Sequence, residues 1–163
     1  MEAGTAQLTM SVLMTPDMAN FSGNVHGGTL LKYLDEVAYA CASRYAGCYT
    51  VTLSVDQVMF LEPVYVGELV TFLASVNHTG RTSMEVGIKV ITENIRERSV
   101  RHTNSCFFTM VAVDHQGRSV PVPELQPTTQ EGLRRQRQAK QRRQIREELQ
   151  QRYQALSEEK HRP

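Results

Sequence analysis

The sequence predicts an α+β fold in which one long buried helix is wrapped by a curved antiparallel sheet. Residues 29–46 are apolar around most of a helical circumference, which is typical of a helix enclosed in a core. From residue 50 onward the apolar period changes from 3.6 to 2, which indicates strands. A single sheet covers only part of such a helix, so we expect a second copy of the chain to cover the rest.

The helix is predicted between a glycine pair and a glycine stop. Gly27 and Gly28 precede it, and Gly47 is suited to end it because glycine readily adopts the left-handed conformation. The apolar positions of the helix are Leu30, Leu31, Leu34, Val37, Ala38, Cys41, Ala42 and Tyr45. Its polar positions form a narrow wedge made of Lys32, Glu36 and Ser43.

Five strands are predicted, one before the helix and four after it. Their approximate ranges are residues 8–14, 50–56, 66–76, 84–90 and 105–113. The last is nearly continuously apolar, which favours a central position in the sheet. Turn and loop signals separate the later strands at residues 61–64, 79–80, 94–99 and 116–117. This spacing predicts that the four later strands form an antiparallel meander.

A proline-containing linker separates two parts of opposite charge. We assign residues 1–123 to the folded domain and residues 124–163 to a linker and a basic C-terminal helix. From residue 128 onward there are ten Lys or Arg and five Asp or Glu, so this part carries +5 and the rest −4.

The basic segment has a narrow apolar stripe and interleaved glutamates. The stripe consists of Ile145, Leu149, Tyr153 and Leu156. These features favour an amphipathic helix that packs on the oligomer over an arm that binds nucleic acid.

Cysteine usage and hydropathy predict a cytoplasmic protein. The chain has three cysteines, Cys41, Cys48 and Cys106. Their odd number argues against a disulfide framework, and the lack of a CxxC pair argues against a thiolate zinc site. Buried reduced cysteines fit a reducing compartment. No apolar run approaches the ~18 residues of a membrane span, and the N-terminal residues lack the pattern of a secretory signal.

A motif before and within the helix carries a resemblance to a known family. Residues 16–28 contain Asn20 and a Gly-Asn-x-x-Gly-Gly element, and Asp35 follows seven residues later. Further matching segments are residues 60–64, 66–68, 79–83 and 107–114. Together they resemble the hotdog-fold acyl-CoA thioesterases, in particular bacterial single-domain acyl-CoA hydrolases and the halves of brain-type acyl-CoA hydrolases. The resemblance spans about residues 8–123.

The resemblance implies an assembly and a reaction. Hotdog protomers pair edge to edge and commonly assemble as trimers of dimers, so it implies a homohexamer with active sites at dimer interfaces. The implied substrate is an acyl-CoA, with no further cofactor and no metal. By motif position, the catalytic asparagine and acid are Asn20 and Asp35, and in the family these often come from different protomers.

Thioester hydrolysis requires an activated water, a stabilised oxyanion and a pocket. Asp35, expected to be buried on the apolar helix, is suited to act as a general base or as a nucleophile. The N–H groups at Gly27 and Gly28 are candidates to bind the carbonyl oxygen, helped by the helix dipole. The Asn20 amide is a candidate to orient the water or to add a second donor.

Several of these residues also have structural interpretations. Asp35 is suited to a helical ion pair with Lys32, and Asn20 to a turn. Asn24 is suited to hold the turn before the helix, and also stands as a candidate CoA contact. His26 is a weaker candidate base, because a helix N-terminus disfavours imidazolium.

The other candidates are Asp56, as the alternative acid, and a hairpin. Residues 50, 52 and 54 carry hydroxyls but lack the context of a nucleophile elbow. Arg81, Thr82 and Ser83 follow a glycine turn. The resemblance suggests that they approach the pantetheine and phosphates of CoA, and the alternative is an exposed hairpin.

Two alternatives to a hydrolase stay open at this point. A non-catalytic acyl-CoA sensor or oligomeric scaffold would use the same pocket. A hotdog dehydratase of hydroxyacyl thioesters uses a histidine and an acid in a different motif, which is not found in this sequence.

Overall fold

The computed structural model describes residues 3–159 of the chain. They form two compact units that divide between Leu125 and Gln126. The elements of the first unit are β1 (Gln7–Leu13), a 3-10 turn (Pro16–Met18), α1 (Gly27–Ala46), β2 (Thr50–Val55), β3 (Leu69–Thr79), β4 (Ser83–Asn94) and β5 (Ser99–Ala112). The second contains α2 (Gln130–Glu159). The division at residue 123, inferred from sequence as a domain boundary, stays a prediction.

The five strands form one antiparallel sheet in the order β1-β3-β4-β5-β2. The predicted meander is therefore correct for β3, β4 and β5 but wrong for β2, which pairs with β5. Residues 56–68, which connect β2 to β3, are too long for a hairpin loop and are interrupted by Pro63. They carry the chain across to the other side of the sheet instead.

Helix α1 contacts all five strands and supplies much of the core, which confirms the predicted helix wrapped by a sheet. His26 caps its N-terminus and Gly47, with φ of 69°, ends it as predicted. The helix begins at Gly27, two residues earlier than expected, so the glycine pair lies in its first turn.

One face of α1 is uncovered in the protomer. Leu31 and Tyr39 are 40% and 41% exposed, and Asp35 between them is also exposed. The expectation that Asp35 is buried is therefore wrong for a single chain. The sheet encloses the remaining faces, and residues 31, 35 and 39 follow one another at one-turn spacing on the face it leaves open.

Strand β2 is an edge strand whose apolar side chains are exposed. Val51, Leu53 and Val55 are uncovered, with Leu53 68% exposed, whereas Thr50 is buried against α1 and bonded to Ser43. Exposed apolar edge strands are prone to pair with another chain. We therefore expect a second copy of the chain to pack on β2 and on the uncovered face of α1.

Strand β5 begins at Ser99, six residues before the predicted start. Its first half is polar, but Thr103 and Asn104 are buried and the Thr103 hydroxyl bonds to that of Thr92 on β4 at 2.5 Å. Sequence pattern misses this half because its buried side chains are polar and show no apolar alternation.

Helix α2 is long, polar and rich in internal ion pairs. Glu131 pairs with Arg134 and Arg135, and Arg143 pairs with Glu147. The predicted apolar stripe is exposed at all four positions. The segment predicted as a linker and basic helix extends to residue 163, and its last four residues lie outside the described residues. No helix within residues 3–159 combines the length and apolarity needed to cross a membrane.

Candidate active site

A hydrogen bond joins the uncovered face of α1 to strand β2. The Thr52 hydroxyl donates to Oδ1 of Asp35 at 2.6 Å. The pairing of β2 with β5 is irregular between Thr52 and Ser54. Such a bulge changes where a strand aims its side chains and is frequent beside functional sites. One oxygen of Asp35 is thus fixed by Thr52, and the other is left to accept a proton.

An open groove of about 390 Å³ lies over this pair. Its lining residues are Asp35, Glu36, Tyr39, Tyr49, Thr50, Val51, Thr52 and Met110. The rings of Tyr39 and Tyr49 meet edge to face, with centroids 5.7 Å apart. The groove thus combines a carboxylate with aromatic and aliphatic walls. This combination suits a ligand that has a polar reacting group and an apolar body.

The Asn20 side chain holds its own loop through its carbonyl oxygen. Asn20 Oδ1 accepts the N–H groups of Ser22 and Asn24 at 2.8 and 3.1 Å. The turn interpretation is therefore correct for this end of the side chain. The amide nitrogen at the other end remains a donor, so the turn fixes its position.

The first turn of α1 offers one N–H group and not two. Gly28 N–H donates to Nδ1 of His26 at 3.0 Å, so Gly28 is already bonded and does not fit the expected oxyanion role. No acceptor is assigned to Gly27 N–H within residues 3–159. His26 caps the helix through Nδ1, and its Nε2 takes no part in the cap.

The candidate CoA-contacting residues do not lie together in one protomer. Asn24 is held in the loop by Asn20 and bridges to Tyr65, just before β3. Residues 81–83 follow the opposite end of β3, whose 11 residues span about 35 Å. Contact of both groups with one CoA would therefore require a second protomer, and their role in CoA binding stays a prediction.

Other candidate groups are engaged elsewhere. Lys32 pairs with Glu36 at 3.8 Å, so the alternative of a Lys32–Asp35 ion pair is wrong. Asp56 follows β2, and its backbone N–H donates to the Phe107 carbonyl. Within residues 3–159 no cluster of three or more His, Cys, Asp or Glu is placed to hold a metal ion.

Two of the three cysteines, Cys41 and Cys106, are unsuited to act as nucleophiles. All three are free thiols. Burial raises the pKa of Cys41 to about 11 and that of Cys106 to about 12. Thiols with such pKa values stay protonated near neutral pH.

Comparisons with known proteins agree with this fold. Residues 22–99 match the Thioesterase superfamily. Protein VdlD of Helicobacter pylori is 53% identical over 82% of this chain and 76% of its own length. The crystal structure of a hexameric acyl-CoA thioesterase is 37% identical, with a TM-score of 0.83 over 87% of this chain and 91% of that one. The chain belongs to the acyl-CoA thioesterases of this superfamily. The predicted family, hotdog fold and enzyme class of the thioesterase are thereby confirmed.

The acyl-CoA hydrolase of Staphylococcus aureus is a third similar protein. Its structure in complex with butyryl coenzyme A, coenzyme A and coenzyme A disulfide has a TM-score of 0.85 to the thioesterase, with 26% identity over 96% of this chain and 95% of that one. Structures of that protein also exist with one asparagine, one aspartate or one threonine replaced by alanine. The three residues are spaced by 15 and 17 positions, as are Asn20, Asp35 and Thr52.

Sequence reasoning missed Thr52. Three hydroxyl residues alternate along β2, and their pattern shows no nucleophile, so none stood out. The signal in the sequence is a threonine on the strand that directly follows the helix of Asp35. That signal has meaning only once β2 is known to lie beside the Asp35 face of α1.

Proposed function

We propose that the thioesterase hydrolyses acyl-CoA thioesters to a free carboxylic acid and CoA, with Asp35 and Thr52 of one protomer and Asn20 and Gly27 of another at each site. The observation that carries the proposal is the 2.6 Å hydrogen bond between Thr52 and Asp35 inside the groove. The identical spacing of the three residues replaced in the Staphylococcus aureus hydrolase supports it.

The reaction follows from the donors and acceptors of these groups. Thr52 holds Oδ1 of Asp35, and Oδ2 takes a proton from a water as its oxygen attacks the thioester carbonyl. The carbonyl oxygen gains negative charge, which the Gly27 N–H and the Asn20 amide stabilise by donating hydrogen bonds. Collapse of the tetrahedral intermediate breaks the C–S bond, and the leaving thiolate takes the proton held by Asp35, which restores the carboxylate. Direct attack by Asp35, giving a mixed anhydride that water then hydrolyses, uses the same groups.

A second copy completes the site in this proposal. Leu31 and Tyr39 beside Asp35 are exposed, and so are Val51, Leu53 and Val55 on the unpaired edge of β2. Edge-to-edge pairing through β2 would cover both surfaces and remove the water that weakens electrostatic catalysis. One similar thioesterase is hexameric, and we propose a trimer of dimers here as well. We also propose a cytoplasmic location and activity without a metal or added cofactor.

The decisive experiment measures release of free CoA thiol from a panel of acyl-CoAs that includes butyryl-CoA. Wild type should turn over at least one member of the panel, and Asp35→Asn should not. Glu97→Gln, which neutralises an exposed carboxylate in the β4–β5 turn, is the matched control and should retain wild-type rates. Equal turnover by the Asp35→Asn variant and wild type would refute the assignment.

A further inference from the structure

A partly buried ion pair stands outside the proposed chemistry. Glu68, the residue before β3, is only 3% exposed, whereas the side chain of Arg101 on β5 is 27% exposed. The two guanidinium nitrogens of Arg101 donate to the two carboxylate oxygens of Glu68, Nη1 to Oε1 at 2.7 Å and Nη2 to Oε2 at 2.8 Å. We call Glu68 and Arg101 the clamp. Such a bidentate pair fixes direction as well as distance.

The clamp also holds the segment of residues 62–65. Arg101 Nη2 donates to the Pro63 carbonyl at 2.8 Å, and its Nε lies 3.1 Å from Oε2 of Glu62. Glu68 Oε2 accepts the N–H of Tyr65 at 2.8 Å. Glu62, Pro63 and Tyr65 are therefore each held by a member of the clamp.

That segment supports the loop that carries Asn20. Val25 N–H donates to the Val64 carbonyl at 2.7 Å, and Asn24 forms a β-bridge with Tyr65. Asn20 in turn is bonded to Asn24 through its backbone N–H at 2.6 Å. The path from Arg101 to Asn20 thus consists of short hydrogen bonds and adjacent residues throughout.

The same connection also reaches the start of α1. The Phe60 ring lies against Gly27, since a Cβ added there would lie 3.8 Å from Phe60 Cε2. Val25, held by Val64, is two residues before Gly27. Both proposed oxyanion donors therefore rest on the segment that the clamp anchors.

We propose that Arg101 and Glu68 are positioning residues that set the geometry of the Asn20 amide and the Gly27 N–H, an inference that rests on the proposed function. An ion pair with a buried carboxylate contributes little net stability compared with apolar packing, because desolvation of Glu68 offsets the attraction. A role in fixing the orientation of the segment explains the pair better. Apolar side chains can shift against each other with little cost, whereas a bidentate guanidinium–carboxylate pair holds one geometry. In this proposal the motif of residues 60–68 supports the loop of Asn20 and the start of α1, although it supplies no catalytic group.

Both members of the clamp are ionised. Burial by itself raises the pKa of Glu68, but hydrogen bonds from Arg101 and the Tyr65 N–H outweigh it and hold the pKa below its ordinary value. Hydrogen bonding to Glu68 raises the pKa of Arg101. The pair is therefore charged near neutral pH.

The primary test is Arg101→Lys, which keeps the charge but loses the fork and the donor to Pro63. We expect kcat to fall about tenfold or more, because displacement of catalytic groups by a fraction of an ångström is costly, while KM changes less than about twofold. Arg118→Lys makes the same change in the exposed pair with Asp114 and should leave kcat unchanged. A purely structural role would lower thermal stability without lowering kcat per folded protomer.

A double-mutant cycle separates the clamp from the chemistry. If the clamp acts through Asn20, Arg101→Lys should lower kcat less in an Asn20→Ala background than in wild type. Full additivity would overturn the proposed path to Asn20. Should Asn20→Ala leave kcat unchanged, the oxyanion role proposed for Asn20 fails; should Asn20→Ala reduce kcat while Arg101→Lys does not, only the clamp proposal fails. If Arg101→Lys does not fold, Glu68→Gln replaces it in every comparison with the same expected direction.

Discussion

The Thr52 hydroxyl donates a 2.6 Å hydrogen bond to Oδ1 of Asp35, joining edge strand β2 to the uncovered face of α1. Replacement of Thr52 by valine keeps the shape of the side chain and removes the donor. We expect kcat to fall by about tenfold to 10²-fold, since the carboxylate is then free to rotate away from its water. Thr52→Ser retains a hydroxyl and should recover most of this loss. Equal rates for the valine and serine variants, measured by CoA release, would show that the hydrogen bond has no catalytic part.

Asp35→Ala should abolish hydrolysis and leave the fold intact. Asp35 is exposed in the protomer, so its truncation creates no core cavity, and alanine favours the helix. Circular dichroism should match wild type while CoA release falls to background. A variant that keeps more than half of wild-type activity rules out Asp35 as the base or nucleophile.

Asn20→Ala should lower turnover by roughly 10²-fold if its amide donates to the developing oxyanion. The replacement also removes the oxygen that holds Ser22 and Asn24. Asn20→Asp is the paired variant, because it keeps an oxygen for Ser22 and Asn24 and replaces the amide donor with a negatively charged acceptor. Both should show a lower kcat; a higher KM with kcat unchanged would assign Asn20 to substrate binding instead.

The sequence is sufficient for the helix, its glycine stop and most of the strands, because each depends on local period and turn chemistry. It does not predict that β2 is an edge strand or that Asp35 is exposed. Both depend on which strands pair, and β2 pairs with β5, which is distant in the sequence. Thr52 went unnoticed for the same reason. Gly28 was expected to be a free donor, but His26, two residues earlier, occupies its N–H. Local contacts of this kind become visible only once the cap geometry is known.

The clamp should make acid stability depend on Glu68. Its pKa is lowered in the folded state from the ordinary value of 4.5. A depressed folded-state pKa stabilises the fold above the unfolded-state value, and this contribution is lost as pH falls through the folded-state value. Thermal unfolding from pH 6 to pH 3 should therefore show a steeper loss for wild type than for Glu68→Gln. Parallel curves for the two proteins would mean that the carboxylate is not differentially stabilised.

Removal of residues 128–163 should leave the thioesterase site intact and weaken the oligomer or soluble expression. The four proposed catalytic residues all precede residue 53, and the clamp consists of Glu68 and Arg101, so none of these groups lies on α2. The stripe of Ile145, Leu149, Tyr153 and Leu156 is exposed. Covering it in an assembly would contribute roughly 1.5–3 kcal/mol for each large side chain that becomes fully buried, and less for a partly buried one.

The measurement compares oligomer mass by light scattering and CoA release for the full chain and the truncated protein, in moderate salt. A full-length variant with Ile145, Leu149 and Leu156 changed to glutamine is the matched control, because it keeps the cationic helix and removes only apolar area. The control should lose mass to the same extent as the truncated protein if the stripe is what packs in the assembly. Loss of all activity on truncation, with native mass and native circular dichroism of the remaining domain, would instead show that the basic helix reaches the CoA site through residues such as Arg134, Arg135 or Arg137.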